Sequence, residues 1–132
     1  MMRVAALTLV LIPLAFAEHT KVPVTEISAD MGRCSASFHV TDMAGEPLYN
    51  VTISTTIRHG FLNRRKLELQ AGTNSDGRAR FVKLPNHVKN PIVFTVTNSV
   101  DTATRSYDPG TNCHAEYNIP LQTKQEAPGP KL

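Results

Sequence analysis

The stretch Cys34-Ser35-Ala36-Ser37-Phe38-His39-Val40-Thr41 sets Cys34, Ala36, Phe38 and Val40 on one parity and Ser35, Ser37, His39 and Thr41 on the other. Successive side chains of a strand point to opposite faces, so this alternation marks a strand with one buried and one solvated side. Near the other end, Cys113, Ala115, Tyr117, Ile119 and Leu121 alternate with His114, Glu116 and Asn118 in the same way. The chain has 2 cysteines, and each falls in phase with the buried side of its strand. A bridge between Cys34 and Cys113 is expected to tie the first strand to the last. It would close a loop of about 80 residues and, on chain-entropy grounds, contribute roughly 4 to 5 kcal/mol.

Such a bridge needs an oxidising compartment, and the N-terminus supplies the matching signal. Arg3 precedes an almost wholly apolar run from Val4 to Phe16, and Ala15-Phe16-Ala17 gives the small-x-small pattern of a cleavage site. Residues 1–17 therefore read as a signal peptide, and the location as secreted or periplasmic. The apolar run contains Pro13 and is too short to cross a hydrocarbon core of about 30 Å, so no stable membrane insertion is expected after cleavage. Residues 18–27, with Pro23, read as an extended N-terminal arm. Residues 122–132, with Pro128-Gly129-Pro130, read as a disordered tail. That leaves residues 28–121 as one domain.

Within it, Val51, Ile53, Thr55 and Ile57 alternate with Thr52, Ser54, Thr56 and Arg58, in a run rich in the β-branched residues that suit a pleated surface. Leu67, Leu69 and Ala71 define a third strand. Asn74-Ser75-Asp76-Gly77 is a strong hairpin signal before Ala79 and Phe81. Ile92, Phe94 and Val96 mark a fifth strand and Thr102 to Tyr107 a sixth, ended by Asp108-Pro109-Gly110. No segment has helical spacing. Seven short strands with regularly spaced turns predict an all-β sandwich.

Two of these turns carry a resemblance. Asp42-Met43-Ala44-Gly45-Glu46-Pro47-Leu48, then Thr73-Asn74-Ser75-Asp76-Gly77 leading to Phe81, then Leu84-Pro85, resembles the carboxypeptidase-regulatory-like group. Its members are prealbumin-like, seven-stranded sandwiches related to bacterial Ig-like repeats. The likeness runs from about Phe38 to Val96. It implies a seven-stranded Ig-like or prealbumin-like fold and, through it, a bacterial origin in which the Asn50-Val51-Thr52 sequon would be silent. The motif residues are turn-formers, so the likeness implies little about activity. Two departures are the polar segment His59 to Arg65 and the cysteine pair.

No catalytic motif is present: GxSxG, HExxH and a phosphate-cradling glycine loop are all missing, and the acidic residues are scattered singly. The hydroxyisourate hydrolases share a prealbumin-type sandwich, but this sequence ends Pro128-Gly129-Pro130-Lys131-Leu132 without their C-terminal Tyr-Arg-Gly-Ser. The protein reads as a non-enzyme that needs no cofactor. His39 and His114 lie on outward parities near the two cysteines and are the candidate metal ligands, with His59 or His87 as further donors. Exposed, unrelated imidazoles are the simpler reading, because a structural site wants about four ligands.

The densest charge feature is Arg58, His59, Arg64, Arg65 and Lys66, which flanks Gly60-Phe61-Leu62. Cations beside an exposed aromatic suit an acidic partner, a phosphorylated glycan or an anionic membrane surface. The plainer expectation is a solvated hairpin with Phe61 tucked under the sheet edge. A net charge of only +3, together with export, argues against nucleic acid as a partner. The reading is an exported binding or structural accessory at the cell envelope, contacting protein or carbohydrate through the loops His59 to Arg65 and Asn86 to Asn90. The alternatives are a histidine-based metal-binding protein and a self-assembling, adhesin-like module.

Overall fold

A computed structural model describes residues 24–123. The leader, most of the arm and most of the tail lie outside the described residues. Eight strands form two four-stranded sheets: β1 (Thr25–Ser28), β2 (Cys34–Thr41), β3 (Thr52–His59), β4 (Arg65–Gly72), β5 (Arg78–Leu84), β6 (Ile92–Thr97), β7 (Thr102–Tyr107) and β8 (His114–Pro120). The strand order is β1-β5-β2-β8 in one sheet and β4-β3-β6-β7 in the other.

The alternating parities pack as read. Cys34, Ala36, Phe38 and Val40 of β2 are buried, as are Ala79 and Phe81 of β5 and Ala115 and Ile119 of β8. From the second sheet come Ile53 and Ile57, Leu69 and Ala71, and Ile92, Phe94 and Val96. The aromatic rings join the layers. Phe38 meets Phe94 with centroids 4.9 Å apart and Phe81 in an edge-to-face contact at 5.8 Å. Offset and edge-to-face pairs of this kind add about 0.5–1.5 kcal/mol each beyond area burial.

The strand count is eight rather than seven. The addition is Thr25–Ser28, which begins in the segment read as an arm, runs across its boundary with the domain, and pairs in parallel with β5 from Thr25↔Ala79 to Ser28↔Val82. Its alternation is only four residues long, too short to stand out in sequence, yet Ile27 packs against the core.

Cys34 and Cys113 are bridged, with Cα atoms 4.5 Å apart and 79 positions between them in sequence. The bond does not cross from sheet to sheet. It staples β2 to β8, which are parallel neighbours in register from Ser35↔His114 to Thr41↔Pro120. The staple sits where both strands begin, and the Ser35 amide donates to the Cys113 carbonyl at 2.7 Å.

The two motif turns lock together. Asp42 Oδ1 accepts the amides of Ala44 and Glu46, and Asn74 Oδ1 accepts those of Asp76 and Arg78. Gly77 (φ 71°) approaches β2 so closely that a Cβ would stand 2.3 Å from the Val40 carbonyl oxygen. Buried Thr73 donates its hydroxyl to the Leu48 carbonyl at 2.6 Å and accepts the Val51 amide at 2.9 Å. The turn chemistry thus fixes how the loop after β2 enters β3.

Candidate functional site: a basic rim around an apolar hairpin tip

The β3–β4 ladder runs further than its apolar alternation, up to Arg58↔Lys66 and His59↔Arg65. Arg58, His59, Arg65 and Lys66 therefore stand on strands, and the connection shrinks to Gly60–Arg64. Within it Gly60, Leu62 and Asn63 all have positive φ, at 79°, 58° and 53°. Glycine adopts that region freely and asparagine tolerates it; leucine does so at a cost of roughly 1–2 kcal/mol.

This backbone throws the apolar tip outward. Phe61 is 83% exposed and Leu62 61%, so Phe61 does not tuck under the sheet edge as the plainer expectation had it. The space beside the turn is taken by Arg65, whose aliphatic carbons lie about 3.5 Å from where a Gly60 Cβ would be.

The second candidate loop meets the first. Asn86 Oδ1 accepts the Arg33 amide at 2.9 Å, and the Met31 amide donates to the Lys83 carbonyl at 2.8 Å, holding the β5–β6 connection against the segment before β2. Two hollows open between the loops. One, of about 320 Å³, is lined by Arg58, Asn63, Lys66, Glu68, Lys89 and Asn90, among others. The other, of about 180 Å³, is lined by Met31, Arg58, His59, His87 and Lys89.

Five cations, Arg58, Arg64, Arg65, Lys66 and Lys89, thus gather around the hollows and the tip, where among the described residues Glu68 is the single carboxylate lining the hollows. Glu68 pairs with Lys66 at 3.5 Å. Among the described residues Arg58, Arg64, Arg65 and Lys89 have no carboxylate partner. Lys89 was not singled out from sequence; its signal was its position between Pro85 and Pro91, which bracket a short loop beside the basic run.

The candidate metal pair is not brought together. His114 lies opposite Ser35, and His39 opposite Asn118, so the imidazoles stand four positions apart on the ladder, about 13 Å. His114 instead shares a hydrogen bond with Ser35, Nδ1 to Oγ at 2.8 Å. His59 and His87 do share a hollow, but Arg58 and Lys89 line it too and repel a metal cation. Among the described residues no three His, Cys, Asp or Glu side chains are grouped to hold a metal.

The outer face of the first sheet is a different surface. Arg33, Ser35, Ser37, Arg80, Lys83, His114 and Glu116 line it. Its charges are largely compensated, since Arg80 approaches Glu26 at 3.9 Å and Lys83 approaches Asp30 at 3.7 Å.

Three of the four edge strands carry features that discourage strand-to-strand association. β1 is four residues long, β8 ends at Pro120, and β7 turns Arg105 inward opposite Phe94. Among the described residues no helix is long and apolar enough to cross a membrane.

No family model matches the chain, and no curated protein matches it. Among solved structures, it is similar to the crystal structure of 3-chlorocatechol 1,2-dioxygenase from Rhodococcus opacus 1CP, at 13% identity and a TM-score of 0.51. The similarity covers 76% of this chain and 65% of that one. At that identity the likeness is one of fold, and the chain spans about 65% of the dioxygenase's length.

Proposed function

We propose that the protein is an exported, non-enzymatic binding module whose working surface is the end of the sandwich formed by the β3–β4 and β5–β6 connections. The observation that carries this reading is the convergence on one rim of two exposed apolar side chains and four cations that have no carboxylate partner among the described residues. Isolated exposed apolar residues are ordinary on protein surfaces, whereas a solvated Phe-Leu pair ringed by uncompensated cations points to a partner. The partner this rim suits is anionic. The Cys34–Cys113 bond supports export, because such bonds persist in oxidising compartments, and it braces the same end of the domain. The carboxypeptidase-regulatory-like kinship remains part of this proposal, supported by the interlocked Asp42 and Asn74 turns.

The test is a titration of the isotopically labelled full chain with a sulfated oligosaccharide, followed by amide chemical shifts. Perturbations concentrated in residues 58–66 and 86–90, and abolished by Arg64→Ala/Arg65→Ala, are the expected result. Shifts confined to the outer face around Ser35, Arg80 and His114 would move the binding surface elsewhere. Turnover of an ester, glycoside or catechol substrate that tracked point mutations would overturn the non-enzymatic reading.

A further inference from the structure

We infer that the anionic partner is a lipid surface, with Phe61 and Leu62 entering the headgroup–acyl boundary while the surrounding cations meet the phosphates. The inference deepens the proposed binding reading and rests on it.

Three observations favour a membrane over a soluble polyanion. The first is shape. Phe61 and Leu62 project from the end of a hairpin instead of lining a cleft, at 83% and 61% exposure. A sugar chain is gripped by a concave or flat platform, whereas a protruding apolar wedge has nothing to bury it except a soft apolar phase.

The second is arrangement. The tip is apolar, and the basic groups stand behind it: Arg64 and Arg65 adjoin it, and Arg58 faces Lys66 one rung further down the ladder. Lys89 joins them from the neighbouring loop. This order of apolar tip and basic collar matches the layering of an anionic bilayer, acyl chains beneath and phosphates above. An aromatic ring also sits favourably at that boundary.

The third is what the chain tolerates to present the wedge. Leu62 holds φ 58°, a conformation in which asparagine or glycine would be at ease. Backbone strain retained at an exposed apolar position, where it serves no packing, is a mark of a binding site. The association so formed is peripheral: one hairpin tip and a charge collar.

The chain contains 0 tryptophans, so Phe61→Trp installs a single reporter at an exposed position. With vesicles of phosphatidylglycerol and phosphatidylcholine, the emission is expected to shift to the blue and to be quenched by brominated acyl chains. The wild-type chain is expected to sediment with those vesicles and to stay in the supernatant with phosphatidylcholine alone. Arg64→Ala/Arg65→Ala should weaken partitioning about 25-fold, at roughly fivefold per cation near a charged surface. Phe61→Ala/Leu62→Asn should weaken it at least about tenfold, given the apolar area lost.

Sedimentation without a blue shift would overturn the inference, since charge alone would then account for the contact. Binding to a sulfated oligosaccharide with none to vesicles would also overturn it and leave the broader binding reading standing. No binding to either would remove both.

Discussion

Arg58 stands directly opposite Lys66 across the β3–β4 ladder, so two cations face each other on the same side of an antiparallel pair. Like charges in this position destabilise a sheet by roughly 0.2–1 kcal/mol. Glu68 relieves Lys66 in part, at 3.5 Å, but among the described residues Arg58 has no carboxylate partner. Replacing Arg58 by Thr keeps a strand-forming residue and removes the repulsion. The melting temperature should rise by about 2–4 °C, for a gain of about 0.5 kcal/mol. Affinity for anionic vesicles should fall about fivefold. Calorimetry and vesicle sedimentation on the same variant check both directions, and a variant that loses stability refutes the repulsion.

Leu62 offers a second opposed pair of effects. Leu62→Asn places a residue at ease with φ 58° in a conformation that strains leucine. Stability should increase by about 0.5–1 kcal/mol, read from urea unfolding midpoints, while vesicle partitioning drops.

Removing the covalent staple should take away a large share of the stability. With 79 positions between Cys34 and Cys113, the double variant Cys34→Ala/Cys113→Ala should lose about 3–4.5 kcal/mol. Urea unfolding with and without a thiol reductant should then coincide for the variant and differ for the wild type.

Gly45 and Gly77 both have positive φ but different surroundings. A Cβ on Gly45 (φ 87°) meets nothing within 4 Å, whereas one on Gly77 would stand 2.3 Å from the Val40 carbonyl oxygen. Gly45→Ala should cost about 1–2 kcal/mol from conformation alone. Gly77→Ala should cost about 3 kcal/mol or more, since backbone must also move. Equal losses in thermal melts would show that the Gly77 approach is looser than this.

Alkaline pH should weaken the fold through two tyrosines. Burial, reinforced by Tyr117 and Asp108, pushes the Tyr107 phenol up to about 12, and its hydroxyl donates to the Cys113 carbonyl at 2.7 Å. Burial also raises Tyr117, with Arg105 acting the other way. A phenol whose folded value lies above its unfolded value of about 10 keeps its proton longer when native. The stabilisation is complete below pH about 10 and is lost as pH climbs toward about 12. Urea midpoints measured between pH 9 and about 12 should fall, and less steeply for Tyr107→Phe.

Much of the core was legible from alternation alone. The inward parities of Cys34 to Val40, Ile53 to Ile57 and Ile92 to Val96 pack as the apolar pattern dictates, because a sheet with one solvated face admits little else. The bridge was legible for the same reason. Strand partners were not: nothing in the alternation says that β2 and β8 lie side by side and parallel. The four-residue β1 was hidden by its length.

At the rim, charge density pointed to Arg58, Arg64, Arg65 and Lys66, but the outward aim of Phe61 depends on the positive φ of three residues around it, Gly60, Leu62 and Asn63. A leucine at positive φ contradicts its own preference, so no local rule could have supplied it. Lys89 joins the cluster only through tertiary folding.

The parallel seating of β8 against β2 has a kinetic meaning. Its rungs, such as Phe38↔Tyr117, join positions nearly a domain's length apart, and β1 likewise finds β5 across a long stretch of chain. Contacts so remote in sequence carry a large loop-closure entropy and slow folding toward milliseconds to seconds. A growing chain that has made only β1 to β7 leaves one side of β2 open, with the ring of Phe38 short of its stacked neighbour Tyr117. Acquisition of the native state therefore waits on synthesis of the last strand.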